Sequence, residues 1–324
     1  MGVDRSLGRA RMVGAEELIG GLRIPGIELK TRNVLSKGSA EFVPDDWVTL
    51  AKGTASCLEG GVDGIVILHG TDTMQYTASA LSFMIQGLSV PIVLTGAMKP
   101  GLERDSDSRG NLEAAVKVAA RADLAETCVV FSKSEDGRSK SIFRGTRTKK
   151  ISSTALNAFS SINENPLGDF GDGRIRLSRD RVRRGPRRLR IDTAIRGEVC
   201  LVKCHPAMTA EMLARTLSGC NGAVIEGTGI GHIRRDLLQE VKKFGRPTVL
   251  STQCPIGGEA LGMYDIDADI LGVPNTIPSS DMAPETALVK LMWCLAKDLD
   301  FEKVKELMQT PLAGEIKKMY GRNI

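Results

Sequence analysis

The sequence predicts an α/β protein, a mainly parallel sheet with flanking helices, divided between two domains. Three observations carry that prediction. Apolar runs of four or five residues recur along the chain. Each runs into a glycine-rich or polar loop and then a helical pattern. One arginine-dense stretch, 171–197, interrupts the rhythm. Continuous apolar runs are what strands look like when both faces are covered, as in parallel sheets. Helices alternating with them supply the covering layers.

The elements follow in chain order. Gly64-Ile-Val-Ile-Leu68 is the first clear strand, and an amphipathic stretch follows from about 73 to 87. Pro91-Ile-Val-Leu94 leads through a long loop, 95–108, into a helical pattern over 111–122. Thr127-Cys-Val-Val-Phe131 follows. Beyond the strap come apolar runs at 199–202, 222–226 and 247–250. Helical patterns near 209–218, 234–244 and 284–297 alternate with them. Within the strap, Arg174-Ile-Arg-Leu177 alternates charged and apolar residues, as an exposed strand does. The strap also holds Gly171-Asp-Gly173 and Gly185-Pro186, which are chain-turning pairs. It therefore reads as the connection between a domain at 1–190 and a domain at 191–324.

Composition bounds the function. Apolar residues are 42% and charged residues 26% of 324, which excludes a disordered tail, a fibre or a disulfide-stapled miniature. No apolar run approaches the length of a membrane span, and the opening residues lack the apolar core of a secretory signal. A cytoplasmic protein is expected. Seven cysteines without CxxC spacing, and three histidines, argue against zinc and for reduced, buried structural thiols. No metal and no cofactor are expected. Charge is concentrated: residues 174–190 hold nine arginines (174, 176, 179, 181, 183, 184, 187, 188, 190) against Asp180. That segment carries +8 in a chain of net charge +5, so the remainder is −3. A solvated strap is the plain reading. Contact with tRNA phosphates is the alternative, although no aromatic platform interleaves with the arginines.

His69-Gly70-Thr71-Asp72-Thr73 sits at the carboxyl end of the first strand, where open α/β sheets bind ligands. A threonine hydroxyl is a weak nucleophile until a base takes its proton. A lysine can serve, with a carboxylate to orient it. The alternative is purely structural: Thr71 or Asp72 caps the following helix, with Gln75 or Tyr76 completing its first turn.

Further motifs add a resemblance. Gly64-Ile-Val-Ile-Leu-His-Gly-Thr-Asp-Thr-Met74 resembles the second signature of the bacterial-type L-asparaginases, which hydrolyse amides with threonine nucleophiles. Pro91-Ile-Val-Leu-Thr-Gly-Ala97, Ser106-Asp107 and Asn111-Leu112 are similar to the family's next elements. Arg144-Gly-Thr-Arg-Thr-Lys-Lys-Ile-Ser-Ser-Thr154 with Ala158-Phe-Ser-Ser-Ile-Asn163 resembles the segment carrying the active-site lysine, which falls on Lys150. Ser39 matches the serine that holds the substrate α-carboxylate. Within this superfamily the closer resemblance is to the D-subunit of the archaeal glutamyl-tRNA(Gln) amidotransferase. Gly227-Thr-Gly-Ile-Gly-His232, Thr252-Gln-Cys254, Asp281-Met-Ala-Pro-Glu285, Ala287-Leu-Val-Lys-Leu-Met-Trp293 and Ala313-Gly-Glu-Ile316 carry it, over roughly 15–316.

The resemblance implies two asparaginase-type domains and an amidohydrolase acting on Asn or Gln. Thr71, Asp72 and Lys150 would be catalytic, and Ser39, Gly70, Thr71 and Asp72 would bind the amide. Ammonia would pass to a tRNA-binding, kinase-like partner subunit that amidates glutamate on tRNA. A homodimer or higher even oligomer is implied. Alternatives are a free-standing L-asparaginase and a catalytically inactive asparaginase-fold binding protein. The family's Thr-Gly-Gly-Thr signature, whose threonine is the usual acyl-forming nucleophile, does not occur in these 324 residues, and Ala40 stands where the family has Gln or Glu. The strand bearing that signature, its lid loop and the small N-terminal barrel of the D-subunit are expected upstream of Met1, the chain being read as an incomplete record.

Two other features are weaker. Gly227–His232 departs from a dinucleotide fingerprint, since His232 takes the last glycine position, so a tight turn or an intersubunit contact is expected. His69 and His232 read as loop or packing residues, and Trp47, Tyr264 and Trp293 as core or interface.

Overall fold

The computed structural model describes residues 2–4, 9–11, 15–99, 105–259 and 265–317. Tyr264 lies outside the described residues, as does the middle of the 95–108 loop. The chain forms two compact units, Met1–Thr193 and Ala194–Ile324. Among the described residues no helix is long and apolar enough to cross a membrane.

The first unit opens with a small antiparallel pair, β1 (Gly2–Asp4) and β2 (Arg9–Arg11), and a short helix α1 (Ala15–Ile19). Helix α2 (Pro44–Glu59) starts on Pro44, whose fixed φ suits the first helical position. Asp46 accepts from Val43 N at 2.7 Å and so closes that end. Gly53 sits inside α2 because a Cβ there would meet Val34 Cγ1 at 3.0 Å. There follow β3 (Ile65–Leu68), α3 (Met74–Met84), β4 (Ile85–Gln86), β5 (Ile92–Thr95), α4 (Ser108–Arg121) and β6 (Thr127–Ser132). Then come β7 (Lys140–Arg144), β8 (Thr148–Lys150), β9 (Phe159–Ser161), β10 (Gly168–Gly171), β11 (Arg174–Leu177) and β12 (Arg190–Ile191). The main sheet runs β11-β10-β7-β6-β5-β3. Only β3, β5 and β6 are mutually parallel; β7, β10 and β11 alternate in direction. The expected mainly parallel sheet is thus mixed in this unit. The reason is local: β6 and β7 are joined by the short turn 133–139, which permits only an antiparallel pair. Val93, Ala115, Val118, Val130 and Ile142 form the core between α4 and the sheet.

The second unit keeps the expected pattern throughout. β13 (Val199–Lys203), β14 (Gly222–Gly227), β15 (Thr248–Thr252) and β16 (Thr276–Pro278) are all parallel. Helices α5 (Ala210–Leu217), α6 (Arg235–Phe244), α7 (Asp265–Leu271), α8 (Pro284–Leu295) and α9 (Phe301–Gln309) complete the unit. Leu213, Leu217, Leu237 and Val241 from α5 and α6 pack on Ile225 and Leu250 of the sheet. Gly245 ends α6 in the left-handed conformation, φ 63°, which a Cβ would strain.

The strap is not merely solvated. Arg174, Arg176, Arg179, Arg183, Arg187, Arg188 and Arg190 are exposed. Arg181 and Arg184 instead lie against the first unit. Arg181 Nη2 donates to Asp123 Oδ2 at 3.0 Å and its Nε to Asp123 O at 2.9 Å. Arg184 donates to the carbonyls of Ala122, Asp63 and Ala119 at 2.5–2.7 Å. These arginines cap carbonyls at the C-terminal end of α4, a favourable place for cations. Beyond them, β12 pairs antiparallel with β4.

Candidate active site

β3 delivers His69–Thr73 past its carboxyl end. Gly70 is required there by close approach: a Cβ would lie 2.5 Å from Ser39 Oγ. Ser39 is buried in a tight turn, accepts from Asp72 N at 3.3 Å, and its carbonyl accepts from Thr73 Oγ1 at 2.7 Å. Ser39, Gly70, Asp72 and Thr73 therefore form one packed corner.

His69 is buried beneath it. Its Nδ1 lies 2.6 Å from Gly70 O and its Nε2 lies 2.9 Å from Thr77 Oγ1. A carbonyl can only accept, so Nδ1 carries the proton. Nε2 then accepts from Thr77, whose oxygen accepts in turn from Trp47 Nε1 at 3.1 Å. Burial pushes the imidazole pKa below its ordinary value, which agrees with the neutral ring. The Phe42 ring packs on it at 4.6 Å. His69 and Trp47 are thus packing residues that brace the loop.

Lys150 arrives from β8, 79 positions after Thr71. Its Nζ donates to Thr71 Oγ1 at 2.9 Å and to Asp72 Oδ1 at 2.7 Å. The Lys150 side chain is 16% exposed and that of Asp72 60%, so the pair opens to solvent on the carboxylate side. Gln75 Oε1 accepts from Lys150 N and ties β8 to the first turn of α3. Thr73 occupies the N-cap of α3 without a side-chain cap bond, so neither Thr71 nor Asp72 is spent on capping. Gln75 is likewise not a capping residue; it holds the lysine strand.

The neighbouring strand supplies the next wall. His69 N donates to Thr95 O at 2.9 Å. A Cβ on Gly96 would stand 2.2 Å from His69 O. Asp107 accepts from Met98 N and Lys99 N, and Asn111 Nδ2 donates to Gly96 O and Asp107 Oδ2, both at 2.9 Å. The Ser-Asp and Asn-Leu motifs therefore fix the loop after β5. Thr77, the hold of Gln75 on Lys150 and the bracing role of Trp47 escaped sequence reasoning. Their only signal is the i, i+4 spacing of Gln75 from Thr71 and of Thr77 from Thr73 at a helix start.

This geometry has known counterparts. Residues 2–183 match the family model "Asparaginase, N-terminal", and residues 198–308 match "Glutaminase/Asparaginase C-terminal domain". The chain belongs to the asparaginase family. The family likeness begins at residue 2, ahead of the stretch from 15 read in the sequence. The glutamyl-tRNA(Gln) amidotransferase D-subunit of Pyrococcus furiosus is 38% identical over 89% of this chain and 67% of its own length. That of Aeropyrum pernix is 36% identical over 90% and 70%. Among solved structures, the thermostable L-asparaginase from Thermococcus kodakarensis superposes with a TM-score of 0.88 at 34% identity, over 98% of this chain and 95% of that one. L-asparaginase I from Vibrio cholerae gives 0.77 at 32% identity, over 87% and 84%.

Elsewhere in this asparaginase fold, Gly227–His232 is a tight turn. Thr228 and His232 exchange backbone hydrogen bonds of 2.9 Å, and a Cβ on Gly227 would be 2.5 Å from Gly231. Gly227 serves close packing, whereas Gly229 and Gly231 take positive φ angles of 55° and 113°. His232 Nε2 faces Asp267 Oδ1 at 3.1 Å. Trp293 is buried beneath the Lys297 ammonium. The cysteines are all free, but they are not all buried: Cys254 is exposed, and Cys57, Cys200 and Cys220 are half-buried. Cys254 follows the end of β15, where the chain leaves the sheet.

Proposed function

We propose that this protein hydrolyses the side-chain amide of asparagine or glutamine as the ammonia-releasing subunit of a tRNA-dependent glutamyl-tRNA(Gln) amidotransferase. One observation carries the chemistry: Lys150 Nζ lies within 2.9 Å of Thr71 Oγ1 and 2.7 Å of Asp72 Oδ1. The lysine base is thus within hydrogen-bond reach of both the hydroxyl and the orienting carboxylate. Lys150, as the neutral amine, takes the Thr71 proton as Oγ1 bonds to the amide carbon and gives it to the nitrogen as the C–N bond breaks and ammonia leaves; water then cleaves the Thr71 ester, releasing the acid and restoring the hydroxyl. Asp72 orients the ammonium and keeps an exposed face for the substrate α-ammonium. Ser39 and Gly70 line the α-carboxylate side. The carbonyl oxygen develops charge and needs donors. His69 N and Asp72 N are already bonded to Thr95 O and Ser39 Oγ, so within this loop that task would fall to the backbone N–H groups of Gly70, Thr71 or Thr73.

The 36–38% identity to the amidotransferase D-subunits of Pyrococcus furiosus and Aeropyrum pernix supports this assignment. The ammonia would then be used by a tRNA-binding, kinase-like partner in the cytoplasm, with the protein in an even-numbered oligomer. A free-standing L-asparaginase is the second reading, favoured by the near-complete overlap with the Thermococcus kodakarensis enzyme. The test is ammonia release from asparagine and glutamine, measured with and without the partner and glutamylated tRNA. Release stimulated by charged tRNA supports the amidotransferase. Equal asparagine turnover in its absence supports the free enzyme. Amino-acid binding without turnover in either condition would leave a binding protein.

A further inference from the structure

Lys150 stands near the far end of a two-stranded ribbon. β8 and β9 pair from Thr148↔Ser161 to Lys150↔Phe159, and the chain turns round through 151–158. Gln75 Oε1 accepts from Lys150 N near the tip, and a two-stranded ribbon this short depends as well on what holds its base. The base is closed by ions. Glu164, just beyond β9, accepts from Arg144 Nε at 3.1 Å and Arg144 Nη2 at 3.2 Å, and pairs with Arg147 Nε at 3.6 Å. The Arg147 side chain is 1% exposed and that of Arg144 8%. Between the two arginines the turn is pressed flat: a Cβ on Gly145 would meet Ser82 Oγ, Thr127 O and Ala78 O at 2.9–3.1 Å. Thr148 Oγ1 donates to Arg144 O at 2.7 Å, and Ile162 N to Arg147 O at 2.8 Å. Both ribbon strands are therefore anchored at the arginines.

A second carboxylate extends the clamp to the strap. Glu126 Oε2 accepts from Arg144 Nη1 at 2.6 Å, and its Oε1 accepts from Val182 N at 2.9 Å. Arg144 Nη2 also donates to Asp180 O at 2.6 Å. The guanidinium of Arg144 thus reaches three segments: the start of β6, the end of β9 and the strap. Two buried cations against two carboxylates is a neutral cluster, and removing one member leaves its partner costly to bury. At the tip the tolerances are small. The contacts of 2.7 and 2.9 Å at Lys150 do not survive a displacement of about 1 Å, a misplacement that costs about a hundredfold in rate where chemistry depends on it.

We propose that Arg144, Arg147 and Glu164 are positioning residues for Lys150: their ion clamp at the base of the β8–β9 ribbon sets the lysine against Thr71 and Asp72, and strap residues 180–182 complete the clamp. The catalytic consequence rests on the reading of Lys150 as the base. The positional claim does not, so the two are measured separately.

The test variant is Glu164→Gln in the full chain. Glu164 is 20% exposed, which favours retention of the fold; Glu164→Asp, which keeps the charge but shortens the reach, carries the same test if the amide variant does not fold. Lysines are acetylated with a limiting amine-reactive reagent, and peptide masses give the ratio of Lys150 to Lys149 labelling. Lys149 is the internal control, because fraying or partial unfolding exposes both. The clamp predicts that the ratio rises severalfold in the variant while the thermal melt stays cooperative, and that kcat for ammonia release falls about tenfold or more with KM little changed. An unchanged ratio in a folded variant overturns the inference. If Lys150 in the unaltered protein labels as readily as Lys149, the Lys150–Thr71–Asp72 pairing itself fails. Loss of turnover with an unchanged ratio would also refute the clamp, since Glu164 would then act by another route.

Discussion

Lys150 in the first unit and Lys290 in the second each donate to a carboxylate at contact distance, and they could hardly be used more differently. Lys290 is fully buried on α8. Its ammonium donates to Met308 O at 2.8 Å, Thr310 O at 2.7 Å and Glu315 Oε1 at 2.5 Å. Glu315, also fully buried, accepts in addition from Leu312 N and Ala313 N. Every ammonium proton has an acceptor, so the pair is closed to any third party. Burial lowers the Lys290 pKa from its ordinary value, with Glu315 opposing that shift. The pair is a latch that fastens the segment after α9 to α8. Lys150 has a hydroxyl as one of its acceptors, and its carboxylate partner is mostly exposed. The difference between the structural lysine and the proposed catalytic base is saturation: Lys150 leaves room for the proposed amide to join its network.

The largest expected effect breaks the reactive side. Lys150→Met should lower ammonia release by about 10²–10⁴-fold, the usual contribution of a positioned base. Because the Lys150–Asp72 pair is open to solvent, its unfolding free energy should change by no more than about 1 kcal/mol. A denaturant titration beside the rate assay checks both. A large loss of stability would erase the distinction from Lys290.

The second effect breaks the closed side. Lys290→Met should cost about 3–5 kcal/mol, because Glu315 is left buried without its cation. Urea unfolding of the second unit reads it. Lys290→Met combined with Glu315→Gln should recover much of that loss, since the neutral amide still accepts from Leu312 N and Ala313 N. If the double variant is as unstable as the single one, the cost lies in packing rather than in the stranded charge.

The same contrast explains what could be read from the sequence. Strands built on a continuous apolar run, such as Ile92-Val-Leu94 in β5 and Ala223-Val-Ile225 in β14, announce themselves, because both faces are buried. β7, Lys-Ser-Ile-Phe-Arg, does not, although all five residues are buried. Its terminal cations look solvated in sequence. In the fold, Lys140 Nζ reaches Ser132 Oγ and Gly137 O, and Arg144 reaches Glu126 and Glu164. Missing β7 is what made the first sheet look mainly parallel. Helix α2 was hidden by Gly53 and by threonines that weaken helical propensity, whereas α9 carried a legible apolar spacing at Phe301, Val304 and Met308 that went unread. At the site, Thr71 and Asp72 were legible because they are contiguous and lie past a strand end. Lys150 was not legible by spacing, since 79 positions intervene; only the motif resemblance pointed to it. The strap was legible for the most part. Seven of its nine arginines are exposed, as a charge run predicts; Arg181 and Arg184 are the exceptions, because a guanidinium has enough donors to satisfy carbonyls at a helix end.

The smallest expected effect sharpens the comparison from beneath the reactive corner. His69 is neutral, with Nδ1–H on Gly70 O and Nε2 accepting from Thr77. Burial lowers its pKa below the unfolded value, which is about 6.5. The unfolded chain therefore binds the proton first. Stability linked to His69 is complete above that pH and is lost as pH falls through the lower folded value. Protonation would also put a second donor on Nε2, where Thr77 Oγ1 already accepts from Trp47. His69→Gln should therefore flatten the fall in unfolding free energy below about pH 6.5, measured by urea titrations at stepped pH. The corner around Gly70 and Ser39 rests on this ring, so amide binding should weaken over the same acid interval in the unaltered protein. It should not do so in the Lys290→Met variant to any greater degree, because that latch braces the other unit. An acid slope that survives His69→Gln would assign it to another group and detach the ring from the support of the site.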